Sequence, residues 1–178
     1  MRIFRSLGYL AMAFILSTSF VGCSDDSYEK GEEVKVSYTN STLYFQCECI
    51  GNFYRLVDLT PYVEVNGVLS DKITFRYDAG VAQIVVNEVY PSSVVTIYVN
   101  VKRNSTAINQ SMIYNRMITP SVRVIRNFSN GATENGGSVS YDIENVSQIP
   151  TAQIEDYIQN DGNRIYTIRL SNDGKLRQ

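Results

Sequence analysis

The sequence predicts an all-β protein, an antiparallel β-sandwich of immunoglobulin-like layout with one short helix near residues 151–160. Three observations lead there. Apolar and polar residues alternate with a period of two through most of the chain beyond residue 34, the pattern of strands with one buried face. About nine or ten such runs are separated by turn residues at regular spacing, as in sandwiches. The strongest runs are rich in Val, Ile, Tyr and Thr, which suit a half-buried pleated surface.

In chain order, Val34, Val36 and Tyr38 alternate with Lys35 and Ser37 and open a first strand, with Asn40-Ser41 read as a turn. Leu43, Phe45, Cys47 and Cys49 then alternate with Tyr44, Gln46 and Glu48 as a second strand, broken at Gly51-Asn52. Residues 53–59 read as a strand, and Pro61 as the start of the next. That one ends at Asn66-Gly67, a hairpin signal because both residues tolerate positive φ. Ile73, Phe75 and Tyr77 alternate before Ala79-Gly80, and 81–89 is a fuller apolar run. Residues 94–102 are the clearest strand, with Val95, Ile97, Val99 and Val101 on one face. Residues 107–115 read as the return arm of a hairpin turning at Asn104-Ser105, the alternative being an irregular excursion.

Residues 121–128 form a strand with Val122, Val124 and Phe128 inward and Arg123 and Arg126 outward, followed by a polar loop at 129–137 and a strand at 138–146. Ile154, Tyr157 and Ile158, spaced i, i+3, i+4, predict the helix, with Thr151 placed to cap it and Asn160 to Gly162 to end it. Tyr166, Ile168 and Leu170 mark the last strand, and Asn172-Asp173-Gly174 a final turn. The prolines at 61, 91, 120 and 150 read as strand starts rather than as a repeat.

Composition narrows the chemistry. The chain of 178 residues has no histidine, which excludes Ser-His-Asp and Cys-His catalysis in their usual form and His-containing zinc sites. Tryptophan is absent too, while 13 tyrosines remain to serve as packing or as a sugar- or protein-binding face. Cys47 and Cys49 share a strand face and read as small apolar core residues, since two thiolates alone do not make a metal site. Asp156, Asn160, Asp161 and Asn163 cluster near Gly162 but lack calcium-loop spacing, so a plain helix-ending turn is expected. Glu48, Asp58, Glu64, Asp78 and Glu88 are spread over strands, and their spacing selects no catalytic pair. No cofactor, no metal and no catalytic residue is expected, and the ligand face stays unassigned.

The first 22 residues have the form of a secretory signal: Arg2 and Arg5, an apolar run from Leu7 to Leu16, then small residues. Phe20-Val21-Gly22-Cys23 resembles the lipobox of bacterial lipoproteins, with Phe20 departing from the usual Leu. The resemblance implies lipidation at Cys23 and cleavage before it. Ser24, Asp25 and Asp26 resemble the acidic export signal of Bacteroidetes-type surface lipoproteins, which implies the outer membrane, facing the cell exterior, with the periplasmic face as the alternative. Residues 23–33 read as an acidic flexible tether and 34–178 as a single β-sandwich domain, or two small β modules split near 104–120. Loss of residues 1–22 removes Arg2 and Arg5, so 16 Lys+Arg become 14 against 18 acids and the mature chain carries −4. An acidic chain without a basic run excludes nucleic acid as a partner. The expected function is that of a lipid-anchored cell-envelope protein, a non-catalytic binding or structural accessory component in contact with a glycan or an envelope protein. The alternative is a carboxylate-dependent glycan hydrolase or lyase.

Overall fold

The computed structural model describes residues 35–177. In chain order the strands are β1 (Tyr38–Ile50), β2 (Val57–Val65), β3 (Val68–Leu69), β4 (Ile73–Asp78), β5 (Val81–Val89), β6 (Val94–Arg103), β7 (Tyr114–Phe128), β8 (Thr133–Ser140), β9 (Glu144–Ile149) and β10 (Arg164–Arg169). A 3₁₀ turn, Asn52–Leu56, joins β1 to β2, and a second, Thr151–Gln153, leads into the helix α1 (Ile154–Asn160). Every strand pair is antiparallel.

The larger sheet runs β4-β5-β1-β7, with β8 and β9 sharing the far edge of β7. The smaller runs β10-β6-β2-β3. The orders β4-β5-β1 and β10-β6-β2 parallel D-E-B and G-F-C of the immunoglobulin layout. The place beside β1 differs, being filled by β7 from late in the chain rather than by an opening strand.

The period-two pattern sets the core. Leu43, Phe45, Cys47 and Cys49 of β1, Ala82, Ile84 and Val86 of β5 and Val122 and Val124 of β7 meet Val63, Val95, Ile97, Tyr166 and Ile168 of the smaller sheet. Phe45 and Tyr166 touch across the layers with ring centroids 4.8 Å apart. A second cluster closes one end, where Phe53 and Leu56 of the first 3₁₀ turn and Ile154 and Ile158 of α1 pack on Val101, Tyr114 and Ile149. Of the three positions its spacing predicts, the helix buries Ile154 and Ile158, and Tyr157 is half-buried.

Several local expectations fail for physical reasons. Asn40-Ser41 is no turn but part of β1, where the ladders to β5 and β7 slip; the buried Ser41 hydroxyl donates to the Gly174 carbonyl at 3.0 Å. No strand covers residues 35–37, and Val36 is exposed. Residues 52–56 wind as a 3₁₀ turn because Phe53 and Leu56, three apart, both reach the core. Pro61 and Pro120 lie inside strands. Ser70 N–H bonds the Val63 carbonyl, so odd residues of β2 point to the β3 side, and Pro61 turns its missing donor to an edge that β3 covers only at Glu64 and Val65. Pro120 points the same way as its carbonyl, which accepts from Tyr141 N–H at 3.0 Å, at the seam between β9 and β8.

The hairpin turning at Asn104-Ser105 with a return arm at 107–115 does not form: residues 104–113 belong to no strand, and β7 begins at Tyr114. Both edges of β6 are taken by β2 and β10, and the Arg103 guanidinium gathers the carbonyls of Leu56, Asn104 and Thr106 into an irregular loop. The polar loop at 129–137 shrinks to a tight turn because β8 begins at Thr133, and 138–146 divides between β8 and β9. Thr151 makes no capping bond. Cys23, Ser24, Asp25 and Asp26, with the leader and tether, lie outside the described residues.

Candidate functional site: the outer face of the larger sheet

In a strand with a buried face, the intervening residues point outward. Across five strands of the larger sheet the register aligns them. Arg76 of β4 is opposite Gln83 of β5, Gln83 opposite Gln46 of β1, Gln46 opposite Ser121 of β7 and Ser121 opposite Ser140 of β8. Two residues along, Thr74, Val85, Tyr44, Arg123 and Ser138 form a parallel row. Four strand spacings make each row about 19 Å long. A β-bulge between Ser41 and Leu43 and a register shift between Val124 and Ile125 flank these rows, and such irregularities bend the strands that carry them.

The surface over the rows is hollowed to about 550 Å³, within the range of small-ligand sites. Tyr44, Gln46, Gln83, Ser121, Arg123 and Ser138 carry its outward chemistry. A neighbouring depression of about 360 Å³ shares Gln46 and Gln83 and extends to Arg76 and Asp78, so the two form one groove across the strands. The Gln83 amide donates to Gln46 Oε1 at 3.4 Å. The Arg123 guanidinium lies 5.1 Å from the centre of the Tyr44 ring, whose residue is 37% exposed. At the far end Arg76 bonds Asp78 at 3.1 Å. Glu48 shares a row with Asp78, one strand of Val81 between them.

The outer face of the smaller sheet is built differently. Tyr62 and Tyr98 stack on each other, centroids 4.3 Å apart and 8° from parallel, with Tyr98 Oη donating to Glu64 at 3.1 Å. That bond, made to the neutral phenol, holds the Tyr98 pKa above its ordinary value. Each ring covers one face of the other.

The interior offers little room for a ligand. Cys47 and Cys49 are buried free thiols, Sγ atoms 3.6 Å apart, as expected of inward small residues. Their mutual hydrogen bond, joined by burial, pushes the Cys47 thiol far up, while the same bond holds Cys49 down against the opposing effect of burial. The space between them and Tyr54, Arg164 and Tyr166 is about 10 Å³, enough for one water. Arg116, 1% exposed, bonds Glu144 at 3.4 Å and lies 5.6 Å from the Tyr157 ring centre; its Nε and Nη1 have no protein partner among the described residues. Glu144 also accepts from Arg164 Nε.

Among the described residues no three His, Cys, Asp or Glu side chains gather as a metal site. In the turn holding Asp156, Asn160, Asp161 and Asn163, Asn163 Oδ1 accepts from Val101 N–H at 2.9 Å and the Asp161 carbonyl accepts from Arg164. No described helix is long and apolar enough to cross a membrane. Sequence reasoning marks Tyr44, Gln46 and Arg123 as outward but does not bring them together with Gln83 and Ser138, because cross-strand register is not written in any one strand. Compared with protein-family models, curated proteins and solved structures, the chain matches none.

Proposed function

We propose that the protein is a lipid-anchored component of the cell envelope, tethered through Cys23 at the outer face of the outer membrane, that binds a glycan across the larger sheet without cleaving it. The observation that carries the binding reading is the pair of cross-strand rows under one hollow. Hydroxyls and amides at a spacing of about 4.8 Å suit a chain of hydroxyl-bearing rings, and one exposed tyrosine supplies a stacking surface. A protein-binding core would instead be aromatic and apolar at its centre. The exposed Val68, Leu69, Ile113, Ile143 and Ile165 all lie outside the hollow.

The rival, a carboxylate-dependent glycan hydrolase or lyase, gains one observation: Glu48 and Asp78, two strand spacings or about 10 Å apart, near the upper end for an inverting pair. Against it, Asp78 is 68% exposed and already bonded to Arg76, and Glu48 is exposed, so neither group lies in an enclosed cleft. Calorimetric titration against a panel of oligosaccharides, with product analysis of each mixture, separates the two. Saturable binding lost in Tyr44→Ala, with the oligosaccharide recovered intact, supports the proposal. Shortened products that disappear in Glu48→Gln favour the rival, and no binding across the panel refutes both.

A further inference from the structure

We infer that the glycan is anionic, with a uronic-acid carboxylate seated on Arg123. The inference rests on the glycan-binding reading of the same face and goes beyond it in naming the charge. Five described arginines, at 76, 103, 116, 126 and 164, have carboxylate partners. Of the four without one, at 55, 123, 169 and 177, Arg123 alone lines the groove. It stands next to the end of its row, with Tyr44 on one side and Ser138 on the other.

Its neighbours neither neutralise it nor compete for an anion. The two rows around it hold Thr74, Val85, Tyr44, Ser138, Gln83, Gln46, Ser121 and Ser140, all neutral, with Arg76 at the far corner. Glu48 is four residues from Tyr44 along β1, about 14 Å by strand rise. Glu134 is bonded to Arg126 at 2.7 Å, and Asp78 to Arg76. A lone cation thus lies among uncharged hydrogen-bonding groups on a protein that is acidic as a whole.

The geometry suits a carboxylate. The Arg123 guanidinium carbon lies over the Tyr44 ring, 5.1 Å from its centre, and none of its N–H groups bonds a protein acceptor among the described residues. Two parallel N–H donors from the guanidinium match the two oxygens of a carboxylate. A sugar ring placed on Arg123 in this way has the Gln46 amide one strand and one row away and the Ser138 hydroxyl one strand away, within reach of ring hydroxyls, with the Gln83 amide one strand beyond Gln46 for the next ring.

The test is calorimetric titration of the purified protein with three oligouronides differing in parent sugar, each beside its carboxyl-reduced neutral counterpart, and with one sulfated oligosaccharide, at two salt concentrations. At least one uronide is expected to bind tenfold or more tightly than its reduced form, with affinity falling as salt rises. Arg123→Gln should bring that uronide to the level of the reduced form, Arg123→Lys should recover part of the loss, and Arg55→Gln should change nothing. Because Arg123 is exposed, circular dichroism should show the variants folded. Equal binding of uronide and reduced forms, unaffected by Arg123→Gln, overturns the charge assignment while leaving glycan binding in place. Arg123-dependent binding confined to a sulfated oligosaccharide overturns the carboxylate, and failure of charged and neutral sugars alike overturns the glycan reading with it.

Discussion

Replacing Glu144 with glutamine should expose the energetic weight of Arg116, the one buried cation among the described residues. Arg116 is 1% exposed and has Glu144 as its only carboxylate, at 3.4 Å; the same carboxylate holds Arg164. Glutamine keeps the shape but leaves a buried guanidinium uncompensated beside a second cation. Breaking a buried pair from one side costs about 3–5 kcal/mol, and the lower end applies because Glu144 is a third exposed. At about 3 °C per kcal/mol for a domain of this size, the midpoint should fall by about 9 °C. Urea and thermal denaturation of the purified protein measure both quantities. Arg116→Met in the same background should restore most of the loss, because it removes the stranded charge. A Glu144→Gln protein within about 0.5 kcal/mol of the parent would refute the reasoning.

Gly51 sits at φ 122°, and a Cβ there would lie 2.2 Å from the Asn115 carbonyl oxygen, so Gly51→Ala should cost about 3 kcal/mol, read as a lower urea midpoint. Buried Cys47 and Cys49 should resist Ellman's reagent in the native protein; after denaturation two thiols should titrate if Cys23 carries lipid as a thioether, and three if it does not. Cys23→Ala should abolish palmitate labelling and detergent partitioning, and persistence of either would refute the anchor. Replacing Ser24, Asp25 and Asp26 should keep the anchor but reduce cleavage by external protease in intact cells, so unchanged accessibility would refute the export signal.

The all-β architecture was legible because alternation is local. Val95, Ile97, Val99 and Val101, like Leu43, Phe45, Cys47 and Cys49, are buried as their spacing implies, and Asn66-Gly67 makes its hairpin with φ of 54° and 78°. Strand limits were less legible. Pro120 is admitted to the middle of β7 only because its missing donor meets the β9–β8 seam, and the loop at 104–113 stays irregular only because β6 has no free edge. Both depend on partners distant in sequence. The groove is a further step removed: each of its residues is an ordinary outward polar side chain, and only the ladders linking β4, β5, β1, β7 and β8 bring Gln83, Gln46, Arg123 and Ser138 together.

Backbone amide mapping by ¹⁵N–¹H NMR during titration with a bound oligosaccharide tests the assignment of the binding face most directly. The largest shifts should fall at residues 44–46, 83–85, 121–123 and 138–140, on four adjacent strands. Shifts confined to the smaller sheet around Tyr62 and Tyr98, or to the loop at 104–113, would contradict the account.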